Sequence, residues 1–167
     1  VPTFDIPSVG AVDFPRGTNG FWEFDLPMRS GDVPVDINIG GDELTEELFE
    51  EIQSFIADAA QFDEIARDAF KAEFTEKPEG TVSTYLTHHA EELSEKEMLR
   101  IFGTKDPDDL GIGHLLEALQ LKRIGLYPGG ENYVAVFDFT IGEEATDYLL
   151  ALEFDEDGNV FGISMDS

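Results

Sequence analysis

The sequence predicts an α+β fold, with an antiparallel sheet from an N-terminal hairpin and a C-terminal β-meander and a central block of helices packed on one face. Three observations carry this reading. Two early stretches alternate apolar and polar residues, the middle of the chain switches to spacings of three and four, and the remainder returns to short apolar runs divided by turn residues. At 167 residues the chain fits one domain. Its expected parts are N-terminal strands over 1–41, a helical block over 42–117 and the meander over 118–167.

Residues 21–26 place Trp22, Phe24 and Leu26 on one face and Glu23 and Asp25 on the other. Residues 33–39 repeat the pattern, with Val33, Val35, Ile37 and Ile39 opposed to Pro34, Asp36 and Asn38. The turn-forming residues from Arg29 to Asp32 make the two a hairpin. Pro34 places the second strand at an edge, or starts it there. Residues 3–14, with Phe4, Ile6, Val9 and Val12, add a further strand.

After Gly40-Gly41 the period changes. Asp42 is the expected cap of a helix whose acidic first turn suits the positive end of its dipole. Leu44, Leu48, Ile52, Phe55, Ala59, Phe62, Ala66 and Ala69 form its apolar stripe, with a break expected at 60–63. Lys77-Pro78-Glu79-Gly80 ends the stretch. Residues 81–93 predict another helix. Ser94-Glu95-Lys96-Glu97 is a capping box for a short one that Gly103 stops. Asp106-Pro107 opens a helix carrying Leu110, Leu115 and Leu116. Strands are expected over 119–127, 132–140, 147–154 and 160–165, with turns at Pro128-Gly129-Gly130 and over 155–159.

Composition bounds the function. The chain has 37 acidic against 10 basic residues, a net charge of −27. Such a surface repels nucleic-acid phosphates and anionic lipid and favours a basic protein partner. A surface selected only for solubility in high salt is the other reading of the charge. Apolar residues make up 41%, enough for a core rather than a disordered chain. The absence of cysteine excludes disulfides and thiolate chemistry and fits a cytoplasmic protein. Neither a transmembrane run nor a signal peptide is read in the sequence.

Two stretches carry a resemblance. One is Tyr85-Leu86-Thr87-His88-His89-Ala90-Glu91-Glu92-Leu93. The other runs from Leu121-Lys122-Arg123-Ile124-Gly125-Leu126-Tyr127-Pro128 through Phe137-Asp138-Phe139-Thr140 to Met165-Asp166-Ser167. Over residues 80–167 the chain resembles an uncharacterised bacterial family of small acidic α+β proteins, a domain of unknown function. The resemblance implies a bacterial, soluble protein and carries over no catalytic residue. Some acidic families of this general kind act as immunity proteins beside toxin genes.

Six residues are candidates for a binding site: His88, His89, Glu92, Lys122, Arg123 and Asp138. On a helix His88 and Glu92 lie one turn apart and are spaced to share a metal or a proton, while His89 points elsewhere. The zinc-protease spacing is absent, and His114 is the only further histidine. Asp138 stands in an apolar strand and needs a partner if buried, with Lys122 or Arg123 the nearest cations in sequence. The alternative to a binding protein is a small metal- or carboxylate-dependent enzyme built on His88, Glu92, His114 and Asp138. Asp106, Asp108, Gly111 and Glu117 match part of a calcium-loop template, but Leu110 offers no ligand at the fifth position, so they are read as a helix start. Asp155, Asp157 and Gly158 are read as a turn. No catalytic residue, cofactor or metal is assigned, and neither a phosphate loop nor a nucleophile elbow is found.

Overall fold

The computed structural model describes residues 3–6, 9–13, 20–40 and 45–167. The strands β1 (Thr3–Ile6) and β2 (Gly10–Asp13) pair antiparallel as a small sheet of their own, where the sequence predicted a single added strand. β3 (Gly20–Met28) and β4 (Gly31–Ile39) form the predicted hairpin, with Met28 opposite Gly31 and only Arg29 and Ser30 turning the chain. Their alternation sets the faces: Leu26, Val33, Val35, Ile37 and Ile39 are buried, while Glu23, Asp25 and Pro34 are exposed.

The helices follow as α1 (Glu46–Ala57), α2 (Ala59–Glu76), α3 (Thr81–Glu92), α4 (Glu95–Phe102) and α5 (Ile112–Ala118). Asp42, the expected cap, lies outside the described residues, as do Gly41 and Leu44. The cap of α1 is Thr45, whose hydroxyl accepts the Leu48 N–H. The break between α1 and α2 falls at Asp58, ahead of the expected 60–63. Asp58 donates its N–H to the Ser54 carbonyl and accepts from Phe62, so one residue closes α1 and opens α2. The apolar stripe passes through it unbroken, which is why spacing alone misplaced it. α4 carries the predicted capping box, Ser94 with Glu97, and stops at Gly103, whose φ of 77° suits a residue without Cβ.

The helix expected to start at Pro107 is instead two pieces. A single 3-10 turn spans Pro107–Asp109, with the Asp106 side chain accepting from Asp108 N–H, and α5 begins only at Ile112. Leu110 and Gly111 between them are extended, and glycine there adds nothing to hold a continuous helix.

The meander is β5 (Gln120–Leu126), β6 (Ala135–Thr140), β7 (Leu149–Phe154) and β8 (Val160–Asp166). The large sheet has six strands in the order β3-β4-β5-β6-β7-β8. It is mixed rather than wholly antiparallel, because β4 and β5 run parallel from Val35 opposite Ile124 to Ile37 opposite Leu126. Parallel neighbours need a long crossover, and the helical block is that crossover. β4 is therefore an interior strand, contrary to the reading of Pro34, and β3 and β8 are the edges. The parallel ladder begins at Val35, one residue after the proline.

Phe137 and Phe139 of β6 and Leu150, Leu152 and Phe154 of β7 face the helices as the centre of the core. Phe62 meets Phe55 at 4.6 Å and Phe154 at 4.9 Å, and Phe70 meets Phe139 edge-on at 5.3 Å. Such contacts add roughly 0.5–1.5 kcal/mol each beyond area burial. Arg67 of α2 donates to the carbonyls of Leu116 and Leu119 at 2.8 and 3.0 Å, satisfying the C-terminus of α5, and stands 5.3 Å over the Phe139 ring. No helix among the described residues is long and apolar enough to cross a membrane.

Candidate functional site on the outer face of the sheet

Strand alternation that sends Phe137 and Phe139 inward sends Asp138 outward, and register carries the outer face across the sheet. Asp138 lies opposite Arg123 on β5 and Ala151 on β7, Ala151 opposite Ser164 on β8, and Gly125 opposite Asp36 on β4. A bulge between Leu121 and Arg123 re-aims β5 so that Arg123 joins this row.

Arg123 is its centre. Its Nε and Nη2 donate to the two carboxylate oxygens of Asp36, the second at 2.6 Å, and Nη1 donates to Asp138 Oδ2 at 3.0 Å. Nη2 also donates to the Tyr127 hydroxyl at 3.1 Å, and Asn38 donates to Asp36 Oδ2 at 2.7 Å. Asp36 is 5% exposed and Asp138 7%, although the sequence set Asp36 on a solvent face. Burial alone would lower the Arg123 pKa, but the bonds to Asp36, Tyr127 and Asp138 outweigh it and raise it. Asp138 goes the other way. Burial pushes its carboxyl up, Arg123 pulls it down, and Asp166 and Asp36 add to the rise, leaving it above its ordinary value. The arrangement fixes charge in place; a guanidinium held by two carboxylates is a poor proton donor.

Around this network the outer face carries Glu23, Asp25 and Asp32, on β3 and β4, and Glu153 and Asp166, on β7 and β8. Burial and the nearby Asp166 charge raise the Glu153 pKa. An aromatic row crosses the end of the sheet where β5 finishes and β8 starts. Tyr127 meets Tyr133 at 5.9 Å and Tyr133 meets Phe161 at 6.2 Å. Phe21, on β3, lines a concavity of about 500 Å³ together with Tyr127, Asn38 and Pro128.

The other sequence candidates lie elsewhere. His89 is buried and joins α3 to the loop before β7. Its Nδ1 stands 2.7 Å from the Tyr85 carbonyl, which can only accept, so Nδ1 carries the proton. Nε2 then accepts from the Thr146 hydroxyl at 2.7 Å. Burial lowers the His89 pKa, the Tyr85 carbonyl partly opposes this, and His88 adds to the fall. Tyr85, also buried, donates its hydroxyl to the Tyr148 carbonyl and has its pKa pushed up to about 12 by burial. His88 packs edge-on against Tyr148 at 4.8 Å and forms no ion pair with the exposed Glu92. His114 accepts from the Gly111 N–H at the start of α5. Among the described residues no three His, Asp or Glu side chains are placed to hold a metal ion. The structure thus joins Arg123 and Asp138 and leaves His88, His89 and Glu92 apart from them.

Lys122 pairs with Glu143 at 3.2 Å rather than with Asp138, and Arg100 pairs with Glu144 at 3.1 Å, both on the rim of a cleft of about 560 Å³. These bridges are exposed, and such pairs contribute little. The Asp155 side chain accepts from the N–H groups of Asp157 and Asn159, so this segment is a turn.

Sequence reading missed Asp36, Asn38, Tyr127 and Gly125 as parts of the site. The signal present was a glycine two residues after an arginine on one strand face. No known protein family, curated protein or solved structure matches the chain.

Proposed function

We propose that the chain is a non-enzymatic protein-binding module of the bacterial cytoplasm, and that the outer face of its sheet engages a basic protein. Neutralisation of a cationic toxin, as an immunity protein does, is the concrete form of this reading. The observation that supports it is the charge arrangement of that face. Among the described residues, Glu23, Asp25, Asp32, Glu153 and Asp166 share this face with Arg123, whose charge is already spent on Asp36 and Asp138. Carboxylates gathered on a firm sheet steer a cationic partner toward one surface and set its orientation.

Immobilised protein at low salt tests the proposal against two variants of equal net charge. One removes outer-face charge (Glu23→Gln, Glu153→Gln, Asp166→Asn). The other removes the same charge from the exposed side of α2 (Glu64→Gln, Asp68→Asn, Glu76→Gln). A cationic protein retained by wild type and by the α2 variant but released by the outer-face variant supports the reading. Equal retention by all three contradicts it.

A further inference from the structure

We infer that the partner presents arginine to the aromatic row at the end of the outer face. This rests on the outer-face reading above and names the side chain that the face selects. The start of β3, the end of β5 and the start of β8 lie at one end of the sheet; β3 contributes Phe21, β8 contributes Phe161, and Tyr127 directly follows β5. Phe21 is 62% exposed and Phe161 52%, high values for large apolar side chains on a sheet. Tyr127 and Tyr133 stand between them, each half-buried and in ring contact. Exposed rings on one surface mark a docking site more readily than isolated apolar residues do.

The occupant follows from what lies beside the rings. Glu23 is on the same face of β3 as Phe21, two residues on. Glu153 lies opposite Gly162, and its Oε2 stands 4.0 Å from where a Cβ at Gly162 would be, next to Phe161. A ring face with a carboxylate at its edge suits a guanidinium, which is flat, weakly hydrated and able to stack while donating to oxygen. A lysine ammonium gains the charge but less of the stacking. The chain pairs its own arginines with both kinds of group: Arg123 donates to the Asp36 carboxylate and to the Tyr127 hydroxyl, and Arg67 stands 5.3 Å over the Phe139 ring. A second copy of the chain, a nucleic acid or an anionic membrane would each bring negative charge against a chain of −27. The occupant is therefore an arginine-bearing segment of a basic protein.

The test uses an oligo-arginine peptide and an oligo-lysine peptide of equal length, titrated into the whole chain at low salt. Tyr133→Ala with Phe161→Ala removes two rings at unchanged net charge. Stacking of a cation on a ring contributes enough for the arginine peptide to bind about 5-fold more tightly than the lysine peptide, and for the double variant to lose about 10-fold in arginine affinity. Phe161→Leu, which keeps an apolar side chain and removes the ring, gives the same comparison at about 3-fold if the double variant does not fold. Equal affinities for the two peptides, or a variant indistinguishable from wild type, would overturn the inference while leaving the basic-partner reading in place. Binding of neither peptide would overturn both.

Discussion

Arg123 and Gly125 stand two residues apart on one face of β5, and the guanidinium of the first occupies the space above the second. A Cβ at Gly125 would lie 2.7 Å from Arg123 Nη2 and 3.0 Å from its Cζ. The glycine is what lets the arginine lie flat along its own strand and reach Asp36 on one side and Asp138 on the other.

Gly125→Ala should therefore act through Arg123. Displacing the guanidinium leaves Asp36 buried without its partner, and crowding of this kind costs roughly 1–3 kcal/mol. In an Arg123→Ala background the same substitution should cost almost nothing. A double-mutant cycle by urea denaturation checks this, and additive effects would contradict it.

The two aspartates should not be equivalent. Asp36 takes two bonds from Arg123 and one from Asn38, whereas Asp138 takes one and is repelled by Asp166 and Asp36. Breaking a fully buried pair costs about 3–5 kcal/mol. Arg123 keeps 34% of its side chain exposed, so screening reduces the figure for Asp36→Asn to about 2 kcal/mol. Asp138→Asn should cost less than about 1 kcal/mol, because the neutral amide escapes both repulsion and desolvation. Equal losses in denaturant midpoint would contradict this ranking.

His89 makes stability depend on pH. Its folded pKa lies below its ordinary 6.5, so the unfolded chain binds the proton more readily. The contribution of neutral His89 is complete above that value and is lost as pH falls from it toward the folded pKa. Wild type should lose more stability than His89→Gln between pH 7.5 and pH 5.5, measured as the shift in urea midpoint. The two acid losses being equal would remove His89 as the cause.

What the sequence made legible was local. The hairpin, the Ser94 capping box, the stop at Gly103 and the turns of the meander are written within a few residues each, and the structure has them. Arg123 with Asp138 was within reach because their strands follow one another. The parallel seam between β4 and β5 was not, because the whole helical block separates Asp36 from Arg123. That seam takes Asp36 from an expected solvent face into a buried pair. His89 was legible as a histidine on α3 but not as a partner of Thr146, a loop residue whose hydroxyl arrives from beyond β6. The aromatic row is assembled from Phe21 on β3, Phe161 on β8 and two tyrosines of the connection between β5 and β6, far apart in sequence, and each ring taken alone reads as an ordinary residue of its segment.

The proposed docking face also predicts a salt dependence. Attraction between exposed charges fades beyond a Debye length, about 10 Å at 0.1 M salt. Arginine-peptide affinity should fall steeply between 0.05 and 0.5 M potassium chloride. The preference for arginine over lysine should outlast that fall, since it comes from ring contact. Loss of preference and affinity together would assign both to bulk charge.

On the proposed reading one face of the sheet, rather than the net charge, selects the partner. The most direct measurement is oligo-arginine affinity at low salt for the outer-face variant (Glu23→Gln, Glu153→Gln, Asp166→Asn) beside the α2 variant (Glu64→Gln, Asp68→Asn, Glu76→Gln), which carries the same charge. Rim and face carboxylates of a docking surface contribute up to about 1 kcal/mol each when exposed. The outer-face variant should accordingly bind about 10-fold more weakly than the α2 variant. Equal weakening of the two would show that the chain attracts cations by its total charge alone, and would contradict the account.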